Sequence, residues 1–122
     1  MFTILLILYL FVKQSSSRAP QLIQFLENLN VEQNEVYQLI CSISKGTKPI
    51  QFEWFKDDIK LHSDSNILID SNPSFSSLKI LKVLFKHSGN YSCFASNSDG
   101  NDKSWTFLQV KGLFINFIYL TL

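Results

Sequence analysis

Few residues in this chain carry side chains that do covalent or acid–base chemistry. Cys41 and Cys93 are the two cysteines, so each is the other's one candidate partner within the chain. The rival reading is a pair of buried free thiols in a reducing compartment. His62 and His87 both lie in polar loop sequence, and neither stands in a motif that pairs a nucleophile with a base. A zinc site drawn from these four residues would use up the thiol pair, and their spacing does not match the known finger patterns. Asp57-Asp58 has the look of a calcium corner. However, calcium takes about six or more oxygens, so the pair reads better as a solvated turn. Asn90-Tyr91-Ser92 is the one N-glycosylation sequon, since Asn72 is followed by Pro73. It predicts a glycan on Asn90 at the start of a strand; the alternative is a chance match, left unmodified because the strand folds first. The chain is therefore expected to hold no metal and no cofactor, and to carry no catalytic group.

These residues sit on short alternating segments. Tyr91, Cys93 and Ala95 alternate with Ser92, Phe94 and Ser96, which is the period of a half-buried strand. Tyr91 lies two residues before Cys93 and shortly after Gly89, which can turn the chain. That placing suits a tyrosine corner, with the ring buried and the hydroxyl bonded back to nearby backbone. Upstream, Tyr37, Leu39, Cys41 and Ile43 share one face of a strand. After a loop from Ser44 to Pro49, Ile50, Phe52 and Trp54 point inward on the next, with Gln51, Glu53 and Phe55 outward.

The remaining segments follow the same rules. Pro20 to Phe25 reads as an edge strand, where proline is tolerated, and Glu27 to Glu35 as a polar, turn-rich stretch. Lys56 to Lys60 is predicted as a turn and Ile67 to Ile69 as a short strand. Leu78 and Ile80 point inward on another strand, and Val83 lies near the corner after it. Asn97 to Asn101 is predicted as a hairpin turn in which Gly100 takes positive φ. Thr106, Leu108 and Val110 then point inward, with Trp105, Phe107 and Gln109 outward. No segment has helical period. The whole is an all-β chain folded as one antiparallel β-sandwich.

Composition agrees. The 122 residues are 46% hydrophobic and include 11 Phe, enough for one domain with a full core. The net charge is +1 and the basic residues are scattered, so there is no nucleic-acid footprint and no polybasic membrane segment. Phe2 to Val12 is an apolar run too short for a bilayer, which needs about 20 residues. With Lys13 and Ser15-Ser16-Ser17 behind it, it reads as a secretory signal peptide over 1–17, with a retained signal-anchor as the alternative. Secretion would supply the oxidising compartment that a bond between the cysteines needs. The domain then covers 18–111. The apolar tail over 112–122 has no stop-transfer charges and no lipid-anchor spacer, and reads as a truncation or an unrelated continuation. Membrane attachment would come only through sequence beyond this chain.

The order Cys41, Trp54, Tyr91-x-Cys93 on alternating strands resembles an immunoglobulin domain. More narrowly, Pro20-x-Leu22-Ile23-x-Phe25, the run from Cys41 through Trp54 to Asp57, Ser77-x-x-Ile80 and Ser88-Gly89-Asn90-Tyr91-Ser92-Cys93 are similar to intermediate-set domains of the arthropod Down syndrome cell adhesion molecule family. The resemblance implies an immunoglobulin-like sandwich with a Cys41–Cys93 inter-sheet disulfide and Trp54 packed against it. Its core would include Trp54, Tyr91, Leu39 and Leu78. The interval from Trp54 to Leu78 is too short for the two extra strands of a variable-type domain. Members of that family are long neuronal and immune surface receptors with many immunoglobulin and fibronectin type III domains, one membrane span and largely homophilic binding. This chain differs in showing one domain, no fibronectin region and no full membrane span. His87 also stands where such domains commonly place an Asp paired with an Arg of the facing loop, so that buttress should be missing.

Strand alternation puts Phe55, Phe94, Trp105 and Phe107 on one outer face. A large apolar patch marks a contact surface, unless long Lys and Gln stems or a neighbouring domain cover the rings. The expected function is an extracellular, non-enzymatic recognition module of a cell-adhesion receptor. It would bind a protein partner, most simply another immunoglobulin domain, homophilically or heterophilically, and neither nucleic acid nor a small-molecule substrate. The alternatives are a secreted single-domain immune effector and the immunoglobulin domain of a larger extracellular enzyme or receptor kinase.

Overall fold

The structure, a computed structural model, describes residues 17–112. The expected signal peptide up to residue 16 and the apolar tail from residue 113 lie outside the described residues. Two sheets pack face to face. Strands β1 (Gln21–Leu22), β3 (Tyr37–Lys45), β6 (Ile67–Ser71) and β7 (Phe75–Ile80) form one, in the order β1-β3-β7-β6. Strands β2 (Asn28–Glu32), β4 (Gln51–Lys56), β5 (Ile59–Lys60), β8 (Gly89–Asn97) and β9 (Gly100–Lys111) form the other, in the order β2-β9-β8-β4-β5. This is an all-β, immunoglobulin-like sandwich. Between the sheets lie Leu39, Trp54, Leu78, Ile80, Val83, Tyr91, Leu108 and Val110, all buried. Removing each from water is worth roughly 1.5–3 kcal/mol.

The first strand is much shorter than its sequence suggests. Of Pro20 to Phe25, Gln21 and Leu22 form the strand on β3, the Ile23 N–H makes a last bond to the Ser42 carbonyl at 2.9 Å, and the chain then crosses to the other sheet. There β2 runs parallel to β9, the one parallel pair among the described residues. It occupies the stretch expected to be turn-rich, where Leu29 and Val31 turn inward between exposed Asn28, Asn30 and Glu32. The crossing is held by side chains of β9. Asp102 Oδ2 accepts from the Leu22 N–H at 2.8 Å, and Ser104 Oγ accepts from the Phe25 N–H at 2.8 Å. Thr106 Oγ1 donates to the Leu26 carbonyl at 2.6 Å. These groups stand in for the ladder bonds the crossing segment gives up.

Two turns also differ from expectation. The turn between β4 and β5 is Asp57-Asp58 alone, both left-handed at φ 49° and 65°. That is a two-residue type I′ hairpin, which favours Asp and Asn. Ile59 and Lys60 then pair back on Lys56 and Phe55, so one short extra strand does form. In the β8–β9 hairpin the loop is Ser98-Asp99, and Gly100 does not take positive φ. Gly100 is required for closeness instead, because an added Cβ would meet the Ala19 Cβ at 2.9 Å. Asn97 Oδ1 organises the turn by accepting from the N–H groups of Asp99 and Gly100.

Candidate functional site

Cys41 on β3 and Cys93 on β8 are bonded across the sheets, with their Cα atoms 6.3 Å apart. Trp54 is the cross-strand neighbour of Cys93 and is buried beside it. Its indole N–H donates to Ser76 Oγ at 2.8 Å, and Ser76 is the cross-strand neighbour of Cys41 on β7. The ring of Phe25 stacks on Trp54 at a centroid distance of 6.0 Å. Leu39 and Leu78 face each other in the same layer. The Tyr91 hydroxyl donates to the His87 carbonyl at 2.7 Å, closing the tyrosine corner. Burial, with a lesser contribution from the Asp57 charge, pushes the Tyr91 phenol well above its ordinary pKa. It therefore stays a donor throughout the neutral range.

His87 is not in a polar loop. It ends the one-turn 3-10 helix Phe85–His87 and is 4% exposed. Its Nδ1 accepts from the Leu84 N–H at 2.8 Å, so the neutral ring carries its proton on Nε2. Nε2 faces Asn66 Nδ2 at 3.4 Å. That amide already donates to the Lys82 carbonyl at 2.9 Å, while Asn66 Oδ1 accepts from the Lys82 N–H. Two donors therefore face each other, which makes the approach a packing contact rather than a bond. In place of the Asp–Arg buttress stands this neutral arrangement, in which Asn66 holds the backbone at Lys82 directly. Burial, and secondarily the charges of Lys86 and Lys56, hold the imidazole pKa below its ordinary value. His62 is exposed, and no cluster of metal-ligating side chains occurs among the described residues.

The outer face of the five-stranded sheet is set by register. Phe55, Ser92 and Trp105 lie in one cross-strand row, and Glu53, Phe94 and Lys103 in the next. Phe107 lies a row further along, between Asn28 and Asn90. Trp105 and Phe107 are 46% and 38% exposed, whereas Phe55 and Phe94 are half-buried. A shallow depression lined by Glu53, Phe55, Asp58, Ser92, Phe94 and Lys103 opens there. Glu53 also pairs with Lys60 at 3.2 Å on the exposed edge. The other sheet exposes Ile40, Leu68 and Phe75, which sequence reading did not single out. They are interleaved with Gln38, Lys79 and Asp70, so that face lacks a continuous aromatic area.

Asn90 is exposed at the start of β8 on the outer face. Asp57 clamps its backbone on both sides. The Asn90 N–H donates to Asp57 Oδ1 at 2.9 Å, and its carbonyl accepts from the Asp57 N–H at 2.8 Å. The Asn90 amide first, and the Lys56 ammonium second, hold the Asp57 carboxyl below the usual range. Gly89 is needed beside them because an added Cβ would meet the Asp57 carboxylate at 2.8 Å. No sequence pattern announces the Asp57–Asn90 clamp.

The two-sheet topology, the cross-sheet disulfide with its buried Trp and the tyrosine corner together define an immunoglobulin-type domain. The family model for immunoglobulin I-set domains matches residues 20–110, and the chain belongs to that family. Cell adhesion molecule DSCAML1 of Mus musculus is 38% identical over 81 residues, which is 66% of this chain and 4% of that protein. The muscle M-line assembly protein unc-89 of Caenorhabditis elegans is 29% identical over 100 residues, 82% of this chain and 1% of that protein. Among solved structures, the Dscam1 Ig7 domain, isoform 5, superposes with a TM-score of 0.70 at 26% identity, covering 76% of this chain and 97% of that one. The chain thus spans a few per cent of the length of these two curated relatives, and it is related to cell adhesion molecules through a single domain.

Proposed function

We propose that this chain is an extracellular recognition module of the cell-adhesion type. It works by pressing the outer face of its five-stranded sheet against another immunoglobulin domain, most simply a second copy of itself. The observation that carries this is the row Glu53, Phe94, Lys103 in the middle of that face. An acid and a base flank one aromatic ring, so a two-fold axis at Phe94 would set Glu53 of each copy against Lys103 of the other. Such a contact is self-complementary. The charges give register and the rings supply burial. Phe55, Trp105 and Phe107 extend the apolar area from that row toward one end of the face. Similarity to a cell adhesion molecule supports this function, and so does the disulfide, which suits an oxidising compartment. The similarity to a muscle protein would fit a structural array, but the disulfide weighs against a reducing interior. Binding of this kind needs neither cofactor nor catalytic group.

Analytical ultracentrifugation of the full chain tests the proposal. Lys103→Glu and Glu53→Lys should each weaken self-association, since each sets like charges against one another. An equimolar mixture of the two variants should recover it, because both cross-contacts are then opposite in sign. Wild-type protein that stays monomeric at every concentration would sink homophilic docking on this face.

A further inference from the structure

The sequon and the aromatic face meet at one point. Asn90 projects from the outer face, and its partner across the ladder on β9 is Phe107. Trp105 and Gln109 are its diagonal neighbours, within reach of long or aromatic side chains. Phe107 and Trp105 are the two most exposed rings of the face. The Asp57 clamp fixes the Asn90 backbone while leaving its side chain in solvent.

We propose that Asn90 carries an N-linked glycan whose first N-acetylglucosamine lies on the ring of Phe107, with Trp105 beside it. A pyranose presents a C–H edge of slight positive charge, and an aromatic ring presents a negative face, so the two stack. A sugar already bonded to the residue opposite loses little further freedom in reaching the ring. The exposed apolar area is then covered by the chain's own carbohydrate. Attachment is glycosyl transfer from a polyprenyl-pyrophosphate oligosaccharide. Asn90 Nδ2 bonds to the anomeric carbon, the C–O bond to the pyrophosphate breaks, and one amide proton passes to solvent.

The order of events follows from burial. Ser92, whose hydroxyl completes the sequon, is 5% exposed between Phe55 and Trp105, and Tyr91 is buried. The folded domain hides the sequon, so the sugar must be added before β8 pairs. Once seated, it closes the Phe107 end of the face and leaves Phe55 and Phe94 open. This last point rests on the outer face being the recognition surface.

The test uses the full chain directed through a eukaryotic secretory pathway by a host leader. Its intact mass should carry one N-glycan, absent from Asn90→Gln. Nuclear Overhauser contacts should join the N-acetyl methyl protons to the Phe107 ring. The glycosylated form should melt about 4 °C above Asn90→Gln, and Phe107→Ser should abolish that gap. A secreted chain without a glycan overturns the proposal, and so does a glycan with no contact to Phe107 and an unchanged gap in Phe107→Ser. Should Phe107→Ser not fold, the Overhauser contacts alone decide. Asn90→Gln should also self-associate more strongly than the glycosylated form. If neither form associates while the sugar contacts are present, the recognition face is refuted and the glycan seat stands.

Discussion

The indole N–H of Trp54 reaches across the sandwich to Ser76 Oγ at 2.8 Å, and so ties β4 to β7 beside the disulfide. Ser76 is itself fully buried and bonded to Ser71 Oγ at 2.6 Å. The core therefore holds a polar link where alternation alone would place any small apolar residue. Ser76→Ala leaves a buried indole N–H unpaired, at a cost of about 1–3 kcal/mol. Urea unfolding followed by Trp fluorescence should show a lower midpoint with an unchanged slope.

The Cys41–Cys93 bond closes a sequence separation of 52 residues. In the chain-entropy account, closing a loop of that length stabilises by about 4 kcal/mol, much of a typical total near 5–15 kcal/mol. Replacing both cysteines by Ala should lower the melting temperature sharply, or leave the chain unfolded at 37 °C. Peptide mapping of non-reduced secreted protein checks the bond itself, and two alkylatable thiols would contradict it.

His87 makes stability depend on pH. A second proton on the ring would go on Nδ1, which already accepts from the Leu84 N–H, so protonation breaks that bond. The folded-state pKa is below the ordinary 6.5, chiefly through burial. The unfolded chain therefore binds the proton more readily, and stability is full above pH 6.5 and falls as pH drops through the folded pKa. Asp64, whose carboxyl is held low by the N–H groups of Asn66 and Ile67, adds a loss of the same sign further into acid. His87→Gln should flatten the first of these two declines and leave the second. Melting curves from pH 7.5 down to about pH 3 resolve them.

Ser104 holds the crossing segment rather than the core. Ser104→Ala should free the Phe25 amide, raising its hydrogen-exchange rate about 5-fold for a bond worth ~1 kcal/mol. The amides of Leu39 and Cys41 in β3 should be unaffected. A uniform rise across the sandwich would show that the crossing and the sheets open as one unit.

In the Asn90→Gln background, where no glycan covers Phe107, Phe94→Ser with Phe107→Ser should weaken self-association while moving the melting temperature little, since both rings lie on the solvent side of their strands. Unfolding of the double variant would make these rings part of the core. Sedimentation and a thermal melt on the same sample separate the outcomes.

The sequence by itself determined the fold class, the one cysteine pairing open to the chain and which way each long strand faces. Those properties are local or nearly so. Alternation is read along a single strand, as in Ser104 to Val110, and two cysteines allow one intrachain bond. Only the tertiary structure decided that the chain leaves β3 after Ile23 and runs parallel to β9, because Asp102, Ser104 and Thr106 act on backbone some 80 residues away. It likewise decided that His87 is buried: a histidine between Lys86 and Ser88 looks solvated until the Leu84 amide and Asn66 close on it. The meeting of Asn90 with Phe107 belongs to the same class. Each residue is legible alone, but their adjacency is a matter of register between β8 and β9, and register is fixed by pairing and not by any one strand.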